Sequence, residues 1–143
     1  QSRFKILMEK IVFTNGCFDI LHPGHIEFLQ KAKRLGDTLI ILLESDENVK
    51  NLKGEKRPIN NLKIRTENLF TTGCVNIVVP LDSEVSDNYY EKIVNSISPD
   101  IIAITKGDPL TEVKTKQAKM AGGKVEIIME RNPKHSTTLL IKK

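Results

Sequence analysis

Apolar residues along this chain come in two kinds of run. Short, nearly unbroken blocks such as Ile11-Val12-Phe13 and Leu39-Ile40-Ile41-Leu42-Leu43 alternate with longer stretches. In those longer stretches the apolar positions recur every three or four residues. The first kind predicts strands buried on both faces, the second amphipathic helices. The pattern predicts strands at 11–14, 38–43, 76–79, 101–104 and 125–129. It predicts helices at 25–35, 46–51, about 60–72, 88–96, 111–121 and 137–142. Gly36 stands where a helix C-cap falls, Asn60 or Asn61 can open the third helix, and Ser86 or Asp87 the fourth. Strands alternating with helices imply parallel crossovers. The expected fold is a single Rossmann-like α/β three-layer sandwich with a mostly parallel five-stranded sheet. In such sheets ligands sit beyond the carboxyl ends of the strands, where the strand order reverses.

Size and composition narrow this only a little. The 143 residues suit one domain, and 39% hydrophobic with 28% charged residues is ordinary for a globular chain. Residues 9–143 read as that domain, and residues 1–8 as a short irregular leader or cloning remnant. The net charge of +4 suits polyanionic small molecules. Aromatics make up only 5%, and no basic run interleaves with them, so nucleic acid is not the expected partner. No apolar run approaches the ~20 residues of a membrane span. The two cysteines, Cys17 and Cys74, form no Cys-x-x-Cys pair. A reducing, cytoplasmic setting is the expectation. Cys17 reads as a small packed residue rather than a nucleophile, and no metal-ligand cluster is visible.

The chemistry concentrates after the first strand, in Thr14-Asn15-Gly16-Cys17-Phe18-Asp19-Ile20-Leu21-His22-Pro23-Gly24-His25. Strand, tight loop and helix start follow one another, with two histidines at the helix start. Helix N-termini carry free N–H donors and attract phosphate. Gly24 lets a ligand approach the backbone, and imidazoles can donate to phosphate oxygens near neutral pH. The dinucleotide fingerprint Gly-x-Gly-x-x-Gly is absent after this strand, which argues against an NAD-type dehydrogenase. Asp19 either fixes the loop or a histidine through hydrogen bonds or meets a ligand directly. Phe18 reads as a core residue.

The segment Phe18-Asp19-x-Leu21-His22-x-Gly24-His25 resembles the signature of the cytidylyltransferase-type nucleotidyltransferases. The fuller Thr14-Asn15-Gly16-Cys17-Phe18-Asp19 is most similar to the adenylyltransferase domain of ADP-heptose synthases. Those enzymes belong to lipopolysaccharide core biosynthesis. The resemblance implies transfer of a nucleoside monophosphate, AMP by preference, from ATP (or CTP) to a phosphorylated acceptor, with release of pyrophosphate. The acceptor it favours is a heptose-type sugar 1-phosphate. Glycerol-3-phosphate cytidylyltransferase and FMN adenylyltransferase are the alternatives inside the class. A non-catalytic nucleotide-binding module is the alternative outside it.

The same resemblance implies that His22 and His25 contact the triphosphate, over a floor made by Thr14, Asn15, Gly16, Cys17, Phe18 and Asp19, with Gly24 at the helix start. Lys50-Asn51-Leu52-Lys53-Gly54-Glu55-Lys56-Arg57-Pro58 resembles a Leu-Lys-Gly-x-x-Arg-Pro segment of the heptose-phosphate enzymes. It implies that Lys53, as a catalytic residue, and Arg57, as an acceptor-binding one, supply positive charge to the triphosphate or to the acceptor's phosphate, with Arg65 reaching toward the acceptor side. Arg131 and the Ser136-Thr137-Thr138 run resemble the closing motif of the family, a helix start that meets the β- and γ-phosphates. Lys106-Gly107-Asp108 stands where relatives carry Lys-Gly-Gly-Asp beside base and ribose; here there is one glycine fewer, and Pro109 follows. His135 replaces an aliphatic residue of the relatives. Mg²⁺ bound with the phosphates and a homodimer are also implied.

Overall fold

The computed structural model describes residues 9–130. Five strands, β1 (Ile11–Gly16), β2 (Thr38–Leu43), β3 (Ile77–Pro80), β4 (Ile101–Lys106) and β5 (Lys124–Glu130), are joined through five helices, two of them between β2 and β3. The helices are α1 (Pro23–Arg34), α2 (Asp46–Lys53), α3 (Leu62–Thr71), α4 (Asp87–Ile97) and α5 (Thr111–Met120). The sheet order is β3-β2-β1-β4-β5, and every pairing is parallel. The expected sandwich is therefore present, with a sheet wholly rather than mostly parallel.

Strand side chains alternate between faces, and this sorts the apolar blocks into two cores. Val12, Leu39, Ile41, Leu43, Ile101 and Ala103 pack on one side with Leu29 and Ala32 of α1 and Leu69 of α3. Phe13, Ile40, Leu42, Ile102 and Ile104 pack on the other with Tyr90 and Val94 of α4 and Ala118 of α5. Burial on both faces is why β1, β2 and β4 lack a polar alternation, whereas β5, at the sheet edge, has exposed positions at Lys124, Ile127 and Glu130.

Caps set the helix starts. Ser45, Asn61 and Ser86 each accept a backbone N–H three residues on. The last of these keeps Ser86 rather than Asp87 as the cap of α4. Proline occupies the first position of α1, two residues before the expected start. Helix α2 continues through Lys53, so Leu52 and Lys53 are helical rather than loop. Gly36 has no left-handed backbone and is not a cap glycine: a Cβ there would stand 2.7 Å from the Lys10 carbonyl oxygen. Its role is close approach, where the turn into β2 hydrogen-bonds Lys10 through Asp37 and Thr38. The expected helix at 137–142 lies outside the described residues.

After β3 the chain returns across the sheet to place β4 beside β1. The strand order reverses between these two strands. Their carboxyl ends therefore splay their loops apart and open a crevice there.

Candidate active site

The loop after β1 is held by charge. Asp19, 1% exposed, accepts Nε–H of Arg57 at 2.7 Å and the backbone N–H groups of Ile59 and Asn60 at 2.8 Å each. Asn60 Nδ2 returns a bond to the Asp19 carbonyl at 2.7 Å. Burial alone would raise the Asp19 pKa, but the bonds from Asn60, Ile59 and Arg57 prevail and lower it. Its carboxylate is thus occupied by the protein. Of the two readings open for Asp19, the loop-fixing one describes the structure.

Arg65 departs from its expected place on the acceptor side. It is wholly buried, with Nε on the Asn60 carbonyl, Nη1 on the Cys17 and Glu44 carbonyls at 2.9 Å each, and Nη2 on Asp46 Oδ1 at 2.7 Å. One guanidinium fork ties together the β1 loop, the end of β2, the start of α2 and the turn before α3. A buried arginine with donors so engaged fastens the floor of the site.

The histidines divide their work. His22 Nδ1 accepts the N–H groups of Gly24 at 3.1 Å and His25 at 3.3 Å, so His22 is the N-cap of α1. Its Nδ1 lone pair is committed to the cap, and the neutral ring carries its proton on Nε2. The N–H of Gly24 is engaged by that cap. The two rings stack with centroids 3.8 Å apart and a 20° interplanar angle, and the Phe18 ring lies 5.4 Å from that of His25. Burial, then the neighbouring His22, pushes the His25 pKa down to about 4. His25 is neutral at pH 7 in the free protein.

At the β1–β4 switch lies a crevice of about 640 Å³, within the range of small-molecule sites. One end carries Cys17, Phe18, Asp19, His25, Lys53 and Arg57; the other carries Tyr90 of α4, the 107–110 loop, and Lys114 and Gln117 of α5. Among the described residues, five buried side-chain polar atoms lack a hydrogen-bond partner: Asn15 Oδ1, His25 Nδ1, Arg57 Nη2, Tyr90 OH and Gln117 Oε1. All five belong to residues lining this one crevice. Buried polar groups are ordinarily paired, so such a cluster marks where a bound molecule supplies the partners.

Ten sequence-predicted site residues meet in the crevice: Asn15, Gly16, Cys17, Phe18, Asp19, His25, Lys53, Arg57, Gly107 and Asp108. Thr14 does not; it is buried inside β1, below the rim. Lys106 does not either: its side chain is 69% exposed and reaches Glu130 at 3.4 Å on the surface. Arg131, Ser136, Thr137 and Thr138 lie outside the described residues. Burial raises the Cys17 pKa, keeping a protonated thiol. Sequence reasoning missed Glu44, Asn48, Tyr90, Lys114 and Gln117. None sits in a motif, and only the return of β4 to the side of β1 brings α4 and α5 over the site.

A doubly wound parallel sheet, with a strand–loop–helix carrying His-x-Gly-His at its switch point and cations along one end of the crevice, defines a nucleotidyltransferase-type nucleotide-binding fold. The family model described as "Cytidylyltransferase-like" matches residues 13–143, and the chain belongs to that family. Among curated proteins it is 43% identical over 137 residues to "Bifunctional protein HldE" of Haemophilus influenzae (strain PittEE). It is equally similar to the protein of that name from Marinomonas sp. (strain MWYL1). Each match covers 94% of this chain but 28% of the relative, so the chain spans little more than a quarter of their length. Among solved structures, the lipopolysaccharide core biosynthesis protein from Thermoplasma volcanium GSS1 aligns with a TM-score of 0.67 at 26% identity. That alignment covers 87% of this chain and 98% of that one. Pantoate-beta-alanine ligase from Francisella tularensis aligns with a TM-score of 0.64 at 15% identity, over 88% and 61% of the two chains, and shares the fold.

Proposed function

We propose that this chain transfers AMP from ATP to a phosphorylated acceptor, a heptose-type sugar 1-phosphate, and releases pyrophosphate. The observation that carries the reading is that the five buried polar atoms without a partner among the described residues all belong to residues lining the crevice at the switch point. The family membership, the motif resemblance to ADP-heptose synthases, and the likeness to the lipopolysaccharide core biosynthesis protein of Thermoplasma volcanium support the choice of acceptor.

The acceptor phosphate is already anionic at neutral pH and needs no activated nucleophile. One of its oxygens attacks the α-phosphorus, and the bond to the bridging oxygen of pyrophosphate breaks. Such a transfer depends on positioning and charge neutralisation. Lys53 and Arg57 supply positive charge, and Asp19 fixes the Arg57 guanidinium by its Nε, leaving Nη2 to the ligand. His25 is neutral in the free protein and gains a proton as the polyphosphate arrives, because a nearby anion favours the imidazolium. His22 seats the start of α1 and keeps the two rings stacked. Arg131, Ser136, Thr137 and Thr138 complete the phosphate contacts in this reading.

Among the described residues no group of three or more His, Cys, Asp or Glu side chains could hold a metal ion. Mg²⁺ therefore enters with the triphosphate, held by phosphate oxygens and water, and screens their charge. No helix among the described residues is long and apolar enough to cross a membrane. A cytoplasmic homodimer is the working assembly.

The test is pyrophosphate release with Mg²⁺, crossing ATP and CTP against heptose 1-phosphate, glycerol 3-phosphate and FMN. Turnover with ATP and heptose 1-phosphate is the expected result. Turnover with another pair replaces the substrate assignment. Nucleotide binding without turnover on any acceptor overturns the catalytic reading.

A further inference from the structure

The two ends of the crevice differ in chemistry. The end near α1 and α2 carries Lys53 and Arg57, and the end near α4 and α5 carries Asp87, Asp108 and Lys114. Tyr90 is 7% exposed and Gln117 6%, and each leaves one polar atom without a partner among the described residues. Gln117 Nε2 donates to the Asp87 carbonyl at 3.2 Å. That bond identifies the amide nitrogen and leaves Oε1 as the unpaired acceptor. Tyr90 packs its ring in the core, 6.3 Å from Phe13 between centroids, and lines the crevice with its buried hydroxyl unpartnered among the described residues. Burial raises the Tyr90 pKa, so this hydroxyl stays a neutral donor and acceptor. Lys114, the cation that lines this end among the described residues, is held by Asp108 Oδ2 at 2.7 Å.

These features select among ligand chemistries. A phosphate needs uncompensated positive charge, and Lys114 has its carboxylate. A nucleobase favours an aromatic face to stack on, and the Tyr90 face is spent in the core. A fixed neutral donor beside a fixed neutral acceptor suits alcohol groups, each of which donates and accepts. We propose that Tyr90 OH and Gln117 Oε1 form the subsite that reads hydroxyl groups of the acceptor sugar, while its phosphate lies toward Lys53 and Arg57. The assignment rests on the transferase reading above and makes Tyr90 and Gln117 the specificity-determining residues for the acceptor. An unpaired buried polar group rejects a substrate that lacks the matching hydroxyl more strongly than an apolar wall rejects an extra group. The chain should therefore discriminate sharply against deoxy acceptors.

The test uses the full chain, with Tyr90→Phe and Gln117→Leu beside the unaltered protein. Three quantities are read: ATP affinity by calorimetry, kcat/KM for heptose 1-phosphate and its single-deoxy analogues, and the unfolding midpoint without ligand. Each variant should lose about 10- to 100-fold in acceptor kcat/KM and keep ATP affinity within about twofold. Each should also lose discrimination against one deoxy analogue. Tyr90→Phe should not unfold earlier, since it removes an orphaned polar group rather than a made bond, whereas Gln117→Leu also gives up its bond to the Asp87 carbonyl and should unfold slightly earlier. Unchanged acceptor kinetics overturn the proposal. So does a loss confined to ATP affinity, which would give these atoms to ribose or base. So does earlier unfolding with kinetics unchanged, which would make them structural. If the unaltered protein shows no turnover, the transferase reading fails separately. Calorimetric binding of heptose 1-phosphate, weakened in both variants, would then still support the subsite; its absence would end it.

Discussion

The floor and the walls of one crevice handle buried polarity in opposite ways. Beneath the β1 loop, Asp19 and Arg65 are almost wholly buried, and their side chains take part in seven hydrogen bonds to side chains and backbone. Along the walls, Asn15, His25, Tyr90 and Gln117 each carry a buried polar atom with no partner among the described residues. Burial is common to both regions, and what separates them is satisfaction. A satisfied buried charge belongs to the scaffold, because the protein itself supplies its partners. An orphaned group is tolerated only where something else completes it. Arg57 belongs to both regions, with Nε on Asp19 and Nη2 unpaired.

The comparison breaks most visibly at the floor. Asp19→Ala leaves the Arg57 guanidinium and two backbone N–H groups without their acceptor. Arg65→Met strips three backbone carbonyls and Asp46 of their donor. Each should lower unfolding free energy by about 3–5 kcal/mol, the usual cost of removing one partner of a buried pair, as measured by urea denaturation. A loss under about 1 kcal/mol in either would show that the satisfied network is not what holds the floor.

A wall residue should behave the other way round. His25→Ala should reduce kcat for pyrophosphate release by about 10²–10³-fold with little change in the unfolding midpoint at pH 7. His22→Ala tests the division between the two rings, since it also removes an N-cap worth about 1 kcal/mol. Equal stability of the two variants would contradict the assignment of the cap to His22 alone.

Acidification separates the regions by pH window. The His25 pKa is about 4 when folded, below the ~6.5 of an unfolded chain. Between those values the unfolded state binds the extra proton, so stability falls as pH drops from about 6.5 to about 4. Asp19, whose folded pKa is lowered, contributes stability that is present above the unfolded carboxylate value near 3.9 and is lost as pH falls through the folded one. Urea midpoints from pH 7 to pH 3 should lose their upper slope in His25→Ala and keep it in Asp19→Asn. By NMR, ATP should raise the pKa of His25. The smallest effect belongs to Lys106→Ala, with stability within about 0.5 kcal/mol and unaltered turnover, because that side chain meets Glu130 at the surface. A large loss of ATP affinity there would return Lys106 to the nucleotide site.

Much of this was legible because it is local. The near-continuous run at Leu39-Ile40-Ile41-Leu42-Leu43 declares a strand buried on two faces. Ser45, Asn61 and Ser86 declare helix starts through bonds that span only three residues. The twelve residues from Thr14 to His25 declare a strand end, a tight loop and a helix start by themselves. Gly36 was legible as a turn but misread in cause, since the atom that excludes a side chain there belongs to Lys10, 26 positions earlier.

The sequence alone determined the element order, the parallel sheet, the family and the basic end of the site, all of which rest on short-range periodicity and contiguous motifs. Only the tertiary structure decided which polar residues face a ligand and which are consumed by the protein. It buried Arg65 as a clamp, committed Asp19 to the loop, turned Lys106 to the surface and brought Tyr90 and Gln117 to the crevice. The reason is that hydrogen-bond satisfaction is a property of neighbours, and these neighbours are set by strand order. Nothing near Gln117 in the chain says that it will stand across from a loop 100 residues earlier; the placement of β4 beside β1 does.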